Sequence, residues 1–246
     1  DARSMATSGR GAGMAGYKVQ TAVDTQHHLI VAHGVTNIGN DRKQLTSMAK
    51  QALAAIGTKG LTVVADRGYF KWEEILACHE AGIATYLPRP QTSRSITKGL
   101  FSKRDFRYQP EADEYRCPAG ERLIWRMTQE KDGLTLHSYW SSNCQACSLK
   151  SRCTNGKERR VTRWTHEAVI EAMEARLDKE PERMRVRRQT AEHPFGTLKA
   201  WMGHTHFQMK SLKHVSREMS LHVLAYNMKR VMAILGTGPL ITAIRA

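Results

Sequence analysis

The sequence predicts an α/β fold with a small cysteine-rich β subdomain inserted into it. Three observations point there. The first ninety residues alternate short β-branched runs with segments of helical period, in the order β-β-α-β-α-β. Residues 101–154 then change character, becoming aromatic and short-stranded and carrying four of the five cysteines. Helical periodicity resumes at residue 166 and continues almost to the end.

Each element has its own justification. Tyr17, Val19, Thr21 and Val23 alternate through residues 17–24, a half-buried strand that ends in Asp24. Residues 29–35 read as a second strand, close enough behind a turn-like stretch to make a hairpin. Asn40 or Asp41 is expected to cap a helix whose Leu45, Met48, Ala49, Ala52, Leu53 and Ile56 share one face and which Gly57 stops. The apolar run 61–65 fits a central strand ending in Asp66, residues 70–81 a second helix closed by Gly82, and residues 83–87 a further strand before Pro88 and Pro90. Past the polar stretch 91–99 and the cysteine-rich segment, helices are expected over 166–177, 184–199 and 221–235. In the last of these, Leu221, Leu224, Met228, Val231 and Leu235 recur as a core-packing stripe. The domains expected are residues 1–95 and 157–246, forming one α/β body, with 96–156 as the insertion.

Composition limits what such a fold can do. The chain has 246 residues, with 38 Lys and Arg against 23 Asp and Glu, a formal charge of +15. So large an excess suits a polyanion, because cations that neutralise phosphates release condensed counterions and bind without reading sequence. No window offers the roughly 20 consecutive apolar residues of a membrane-spanning helix, so no span is expected. Five cysteines with no secretory signal argue for a reducing, cytoplasmic setting and for metal ligation over disulfides. The chain begins at Asp1 and not at Met, from which an upstream segment is expected.

Three patterns carry candidate chemistry. Gly11, Gly13 and Gly16 satisfy a dinucleotide-binding spacing, yet no strand precedes them and a strand follows, so the segment reads as a loop. Cys117, Cys144, Cys147 and Cys153 form C-x26-C-x2-C-x5-C, a sensible tetrahedral zinc set of structural type with His137 in reserve; buried reduced thiols are the alternative. The acids matter most. Asp24 and Asp66 at the ends of neighbouring strands, joined by Glu192 from a helix packed on the sheet, would form a carboxylate site for Mg²⁺ and in-line attack at phosphorus. Arg188, Glu192 and Lys199 fall on one helical face, which Pro194 is expected to kink near Glu192. The competing reading makes Asp66 a turn cap before Gly68 and Arg188 with Glu192 a surface ion pair.

On these residues the chain resembles the DDE transposases of bacterial insertion sequences, those with a Y-x2-R-x3-E-x6-K signature. Residues 16–24 are similar to the block carrying the first catalytic Asp, and Ala65-Asp66-Arg67-Gly68-Tyr69 to the second. Arg188, Glu192 and Lys199 match the third with its intervals, and residues 106–108, 115–120 and the cysteines match the insertion of one branch. Arg185 stands where the signature has Tyr, which points either to a phosphate grip in place of the aromatic or to a decayed copy.

The resemblance implies an RNase H-like domain with a mixed five-stranded sheet flanked by helices. It also implies Mg²⁺ or Mn²⁺ held by Asp24, Asp66 and Glu192, DNA contacts from Arg185, Arg188 and Lys199, and metal-dependent cleavage and strand transfer by a homodimer assembled on DNA in the bacterial nucleoid. Two rivals stay open: a related nuclease without strand transfer, and a non-catalytic DNA-binding remnant.

Overall fold

The computed structural model describes residues 4–7, 14–90 and 95–245, which divide into two compact units. One unit takes Asp1–Arg89 with Val169–Ala246; the other, Pro90–Ala168, lies between those two segments in the chain.

In the first unit, β1 (Ser4–Thr7) and β2 (Met14–Gly16) pair antiparallel. The last three residues of the expected loop are therefore a strand, while residues 8–13 lie outside the described set. Strands β3 (Lys18–Val23) and β4 (Ile30–Thr36) form the expected hairpin, in register from Lys18 opposite Thr36 to Ala22 opposite Ala32, with a one-residue irregularity before Val23 meets Ile30. Helix α1 (Leu45–Ile56) buries Leu45, Met48, Ala49 and Ala52, and Met48 and Ala52 pack on Ala32 of β4. Gly57 ends the helix in the left-handed region, φ 70°, its N–H returning to the Leu53 carbonyl. The expected cap differs. Gln44 occupies the N-cap with no side-chain bond, because the Asp41 carboxylate is engaged by Lys18 and Gln20 of β3.

Strands β5 (Leu61–Val64) and β6 (Ile83–Tyr86) run parallel, connected through α2 (Trp72–Glu80), the crossover that parallel pairing requires. Among the described residues of this unit the strands pair two by two, and the expected five-stranded mixed sheet is not formed. Part of the reason is visible at Ile30 on β4. Its N–H and carbonyl are both satisfied at 2.9 Å by the Asn227 side-chain amide, which takes the place of a neighbouring strand.

Helix α3 (Glu167–Lys179) reaches β6 through Arg176, which donates to the Thr85 carbonyl, and Tyr86 donates to Glu180 just beyond the helix. Helix α4 (Arg183–Gly196) holds Pro194 inside it and runs into a π-helical turn, Thr197–Trp201. Helix α5 (Leu212–Leu235) is followed by α6 (Thr237–Arg245).

Helix α5 corrects one expectation directly. Its buried face includes Val215, Met219, Val223 and Tyr226, the last three clustered with Ile30 and Leu198, whereas Leu221, Leu224, Met228 and Leu235 are exposed. Two apolar stripes share this helix, and apolarity cannot choose between them. Polar side chains on the inner face can: Asn227 binds Ile30, Tyr226 donates to the His28 carbonyl at 2.7 Å, and Arg230 donates to the His27 carbonyl at 2.6 Å.

The second unit is built on an antiparallel five-stranded sheet. Its strands are β7 (Arg107–Gln109), β8 (Glu114–Arg116), β9 (Arg122–Lys131), β10 (Leu134–Trp140) and β11 (Val161–Trp164), adjacent in chain order. Phe106, Tyr115, Leu123, Tyr139 and Val161 make its core. Asp113, at φ 45°, accepts the hydroxyls of half-buried Tyr108 and buried Tyr139, each at 2.7 Å, so both phenols are satisfied.

Replacing Asn227 with Ala removes both bonds to Ile30 and leaves two strand groups without partners. Urea denaturation of the Asn227→Ala chain is expected to show a loss of about 3 kcal/mol.

Candidate active site

Asp66 lies one residue beyond β5, after Ala65, and caps the short 3-10 turn Arg67–Tyr69. Its Oδ1 accepts the Gly68 N–H at 2.8 Å, and its Oδ2 accepts from Arg187 Nη2 at 2.9 Å. The turn-cap reading of Asp66 therefore holds, and it leaves the second oxygen to a cation from α4. Gly68 must stay small. A Cβ built there would come within 2.9 Å of Asp66 Oδ1 and 3.8 Å of Asp41 Oδ2, so both carboxylates come close to this glycine.

Tyr69 closes the same turn. Its hydroxyl donates to Gln20 Oε1, while Gln20 Nε2 donates to Asp41 Oδ1 at 2.7 Å and Lys18 Nζ reaches both Asp41 oxygens at 3.3 Å. Burial, with the Asp41 and Asp66 charges, pushes the Tyr69 hydroxyl well above its ordinary value, and Arg187 opposes this only weakly. Tyr69 is thus a fixed hydrogen-bond donor.

Asp24 ends β3 and accepts the backbone N–H groups of Gln26 and His27, at 3.2 and 2.6 Å, which shapes the β3–β4 turn. That turn is tied to α4 by rings. His28, at φ 57°, stacks on His193 with centroids 4.8 Å apart, and Tyr226 OH lies 2.9 Å from His193 Nδ1. The Tyr226 proton goes to the His28 carbonyl, so Nδ1 of His193 must carry a hydrogen and donate to the phenol oxygen. Burial first, then His28 and Arg230, lower the His193 pKa, which suits this neutral tautomer.

Glu192 precedes His193 and is exposed, yet it lines the same cavity as Asp24 and Asp66, a space of about 350 Å³ that Tyr69 and Arg187 also border. Folding therefore brings to one cavity three acids separated by 41 and 125 intervening residues. Among the described residues, however, no three or more His, Cys, Asp or Glu side chains form a group that could hold a metal ion.

The basic residues divide. Arg185, Arg188 and Lys199 are exposed. Arg187, unremarked in the sequence, is the one that meets Asp66. Its phase matches the buried Thr190 and Pro194, three and seven residues on, but α4 is too polar for its inward face to show as an apolar stripe. Lys199 lies in the π-helical turn, where the Met202 N–H bonds five residues back to Thr197, so the step from Glu192 to Lys199 is not that of a uniform helix. The widened turn follows Pro194, which has no N–H to donate.

The family model for the transposase DDE domain matches residues 1–228, more than nine-tenths of the chain. The chain belongs to that family. No curated protein and no solved structure matches it. Family membership makes the chain a transposase domain, of an enzyme class that cleaves DNA, transfers strands and uses divalent metals such as Mg²⁺. No helix of the described residues is long and apolar enough to cross a membrane.

The transposase chain holds its other candidate group in the second unit. Cys117 begins the tight turn between β8 and β9, Cys144 lies in the 3-10 turn Ser142–Ala146, and Cys153 follows a second such turn. All four cysteines of the pattern are free thiols lining one cavity of about 30 Å³, and His137 is absent from that lining because it stacks on Trp125. Burial, with Cys144, Cys117 and Cys147 close by, pushes the Cys153 thiol up, against the pull of Arg159.

In the transposase, Gly68→Ala is expected to keep the fold, since Gly68 has no left-handed φ, but to displace the Asp66 carboxylate. With Asp66 as a candidate catalytic acid, such a displacement is expected to cost on the order of tenfold or more in cleavage rate, read on end-bearing DNA beside an unchanged melting curve.

Proposed function

We propose that this chain is the catalytic part of a DDE transposase in which Asp24, Asp66 and Glu192 hold the divalent cations. The single observation that carries this reading is the cavity the three acids share. The donor set fits a hard cation in its chemistry, being all carboxylate oxygen. When bound, Mg²⁺ would activate water and then a 3′-OH for in-line attack at phosphorus. Gathering the acids from their present spacing calls on the exposed Glu192 side chain to rotate inward and on Arg187 to release Asp66. A released Arg187 can then face a phosphate.

Arg185, Arg188 and Lys199 supply the DNA contacts, the arginines as bidentate forks and the lysine as a point charge. Their exposure and the net charge of +15 support this. The architecture is read as RNase H-like. Support comes from the β-β-α-β-α-β order, with an antiparallel first pair and a parallel second pair. The active assembly is taken to be a homodimer on transposon ends within the nucleoid, a reading supported by family membership alone.

In the second unit, Cys117, Cys144, Cys147 and Cys153 would hold a structural zinc ion, supported by their shared cavity and by thiolates being the donors zinc prefers. Four protein ligands leave no open position, so such an ion would pin the subdomain and take no part in catalysis.

Asp66→Asn tests the enzymatic reading. Cleavage of end DNA is expected to vanish while DNA affinity stays within about twofold, because a neutral amide cannot replace the carboxylate toward a cation. Cleavage of unrelated duplexes without integration products would favour the nuclease reading instead. For the second unit, metal analysis of protein purified under reducing conditions is expected to find about one zinc per chain, with chelation lowering the melting temperature.

A further inference from the structure

Asp41 stands outside the acidic trio, and in sequence it looks like a helix cap. It does not line the cavity. Its neighbours give it another task. Gln20 is only 4% exposed, so its amide depends on protein partners. Were that amide reversed, its oxygen would face the Asp41 carboxylate, acceptor against acceptor, and its NH₂ would face the Tyr69 hydroxyl. The acceptor oxygen of Asp41, itself held by the Lys18 ammonium, rules this out and commits Nε2 to it at 2.7 Å. Oε1 is then left for Tyr69, whose hydroxyl donates to it. Lys18, one strand-period before Gln20, also donates to both Asp41 oxygens at 3.3 Å. The relay ends at the turn Arg67–Tyr69, which Asp66 caps.

We infer that Asp41 is a positioning residue for Asp66: by fixing the orientation of the Gln20 amide it anchors Tyr69, and Tyr69 pins the turn that aims the Asp66 carboxylate into the cavity. The inference rests on the assignment of Asp66 to the catalytic site. It separates Asp41 from the metal-holding acids, since a positioning acceptor can be replaced by a neutral one whereas a ligand cannot. Tyr69 and Asp41 act in series, so losing both should cost no more than losing one.

The test uses the full chain with Asp41→Ala, Asp41→Asn, Tyr69→Phe and the Ala/Phe double variant. Asp41→Ala and Tyr69→Phe are each expected to slow end-DNA cleavage about tenfold at saturating DNA, without weakening DNA binding. The double variant should be no slower than the worse single, and Asp41→Asn should recover most of the rate. Mn²⁺ titration followed by water-proton relaxation should show several-fold weaker binding in the first two variants and near-normal binding in Asp41→Asn. The Asp66 ¹³Cγ resonance reads the same displacement without turnover, moving in Asp41→Ala and Tyr69→Phe and returning in Asp41→Asn. Wild-type cleavage in Asp41→Ala, multiplicative losses in the double variant, or an unmoved Asp66 resonance would overturn the inference. So would an Asp41→Asn chain as inactive as Asp66→Asn, which would make Asp41 a ligand. If the wild type neither binds Mn²⁺ nor cuts, the catalytic assignment of Asp66 fails, and the resonance alone still decides whether Asp41 positions it.

Discussion

Asp66, one residue beyond β5, keeps its side chain 43% exposed and still gives each carboxylate oxygen a protein partner, and those two bonds organise the turn and the helix around it. One oxygen takes the Gly68 N–H and the other the Arg187 guanidinium, so a turn of backbone and a helix residue 121 positions away converge on one side chain. The two partners differ in kind. The backbone donor belongs to the turn and moves only with it, whereas the guanidinium is the tip of a long side chain that can leave. A site built this way keeps its geometry while its charge balance remains open to exchange, which suits an acid whose proper partners are cations and phosphates.

The same division between fixed backbone and specifying side chain recurs under α5. Hydrophobic burial attracts this helix to the β3–β4 hairpin but says nothing about which of its two apolar stripes turns inward. Asn227, Tyr226 and Arg230 settle the rotation, because each reaches a strand or turn carbonyl only when its own face is inside. Tyr226 also links the hairpin turn to α4 through His193, so the rotation of α5 bears on where Asp24 and Glu192 stand relative to each other. Tertiary packing thereby ties the turn after Asp24 to the helix that carries Glu192, through a helix that contributes no acid to the cavity.

Much of the first unit was readable along the chain. The β3–β4 hairpin, α1, β5, α2 and β6 fall within a few residues of their periodic patterns, since each pattern is local and each stop is a glycine or a turn. Asp24 and Asp66 stand just past strands and Glu192 within α4, and all three line one cavity. The misreadings share a cause. A mixed five-stranded sheet was expected in the α/β body, where the described strands pair only two by two, because the joining of non-neighbouring strand edges is contained in no sequence window. Asp41 was read as a cap because its sequence neighbours allowed that, while Lys18 and Gln20, more than twenty residues upstream, claimed it first.

What the sequence determined by itself was the alternation of elements, the residues that end them, the excess of positive charge and the acids available for chemistry. Each of these depends on bonds and preferences that act within a few residues. Only the tertiary structure decided that Arg187 and not Arg188 meets Asp66, that Gln20 stands between Asp41 and Tyr69, and that Leu221 and Leu224 face outward. Those outcomes depend on the rotation of a helix or the orientation of an amide, and such choices are made by partners that become neighbours only after the chain has folded.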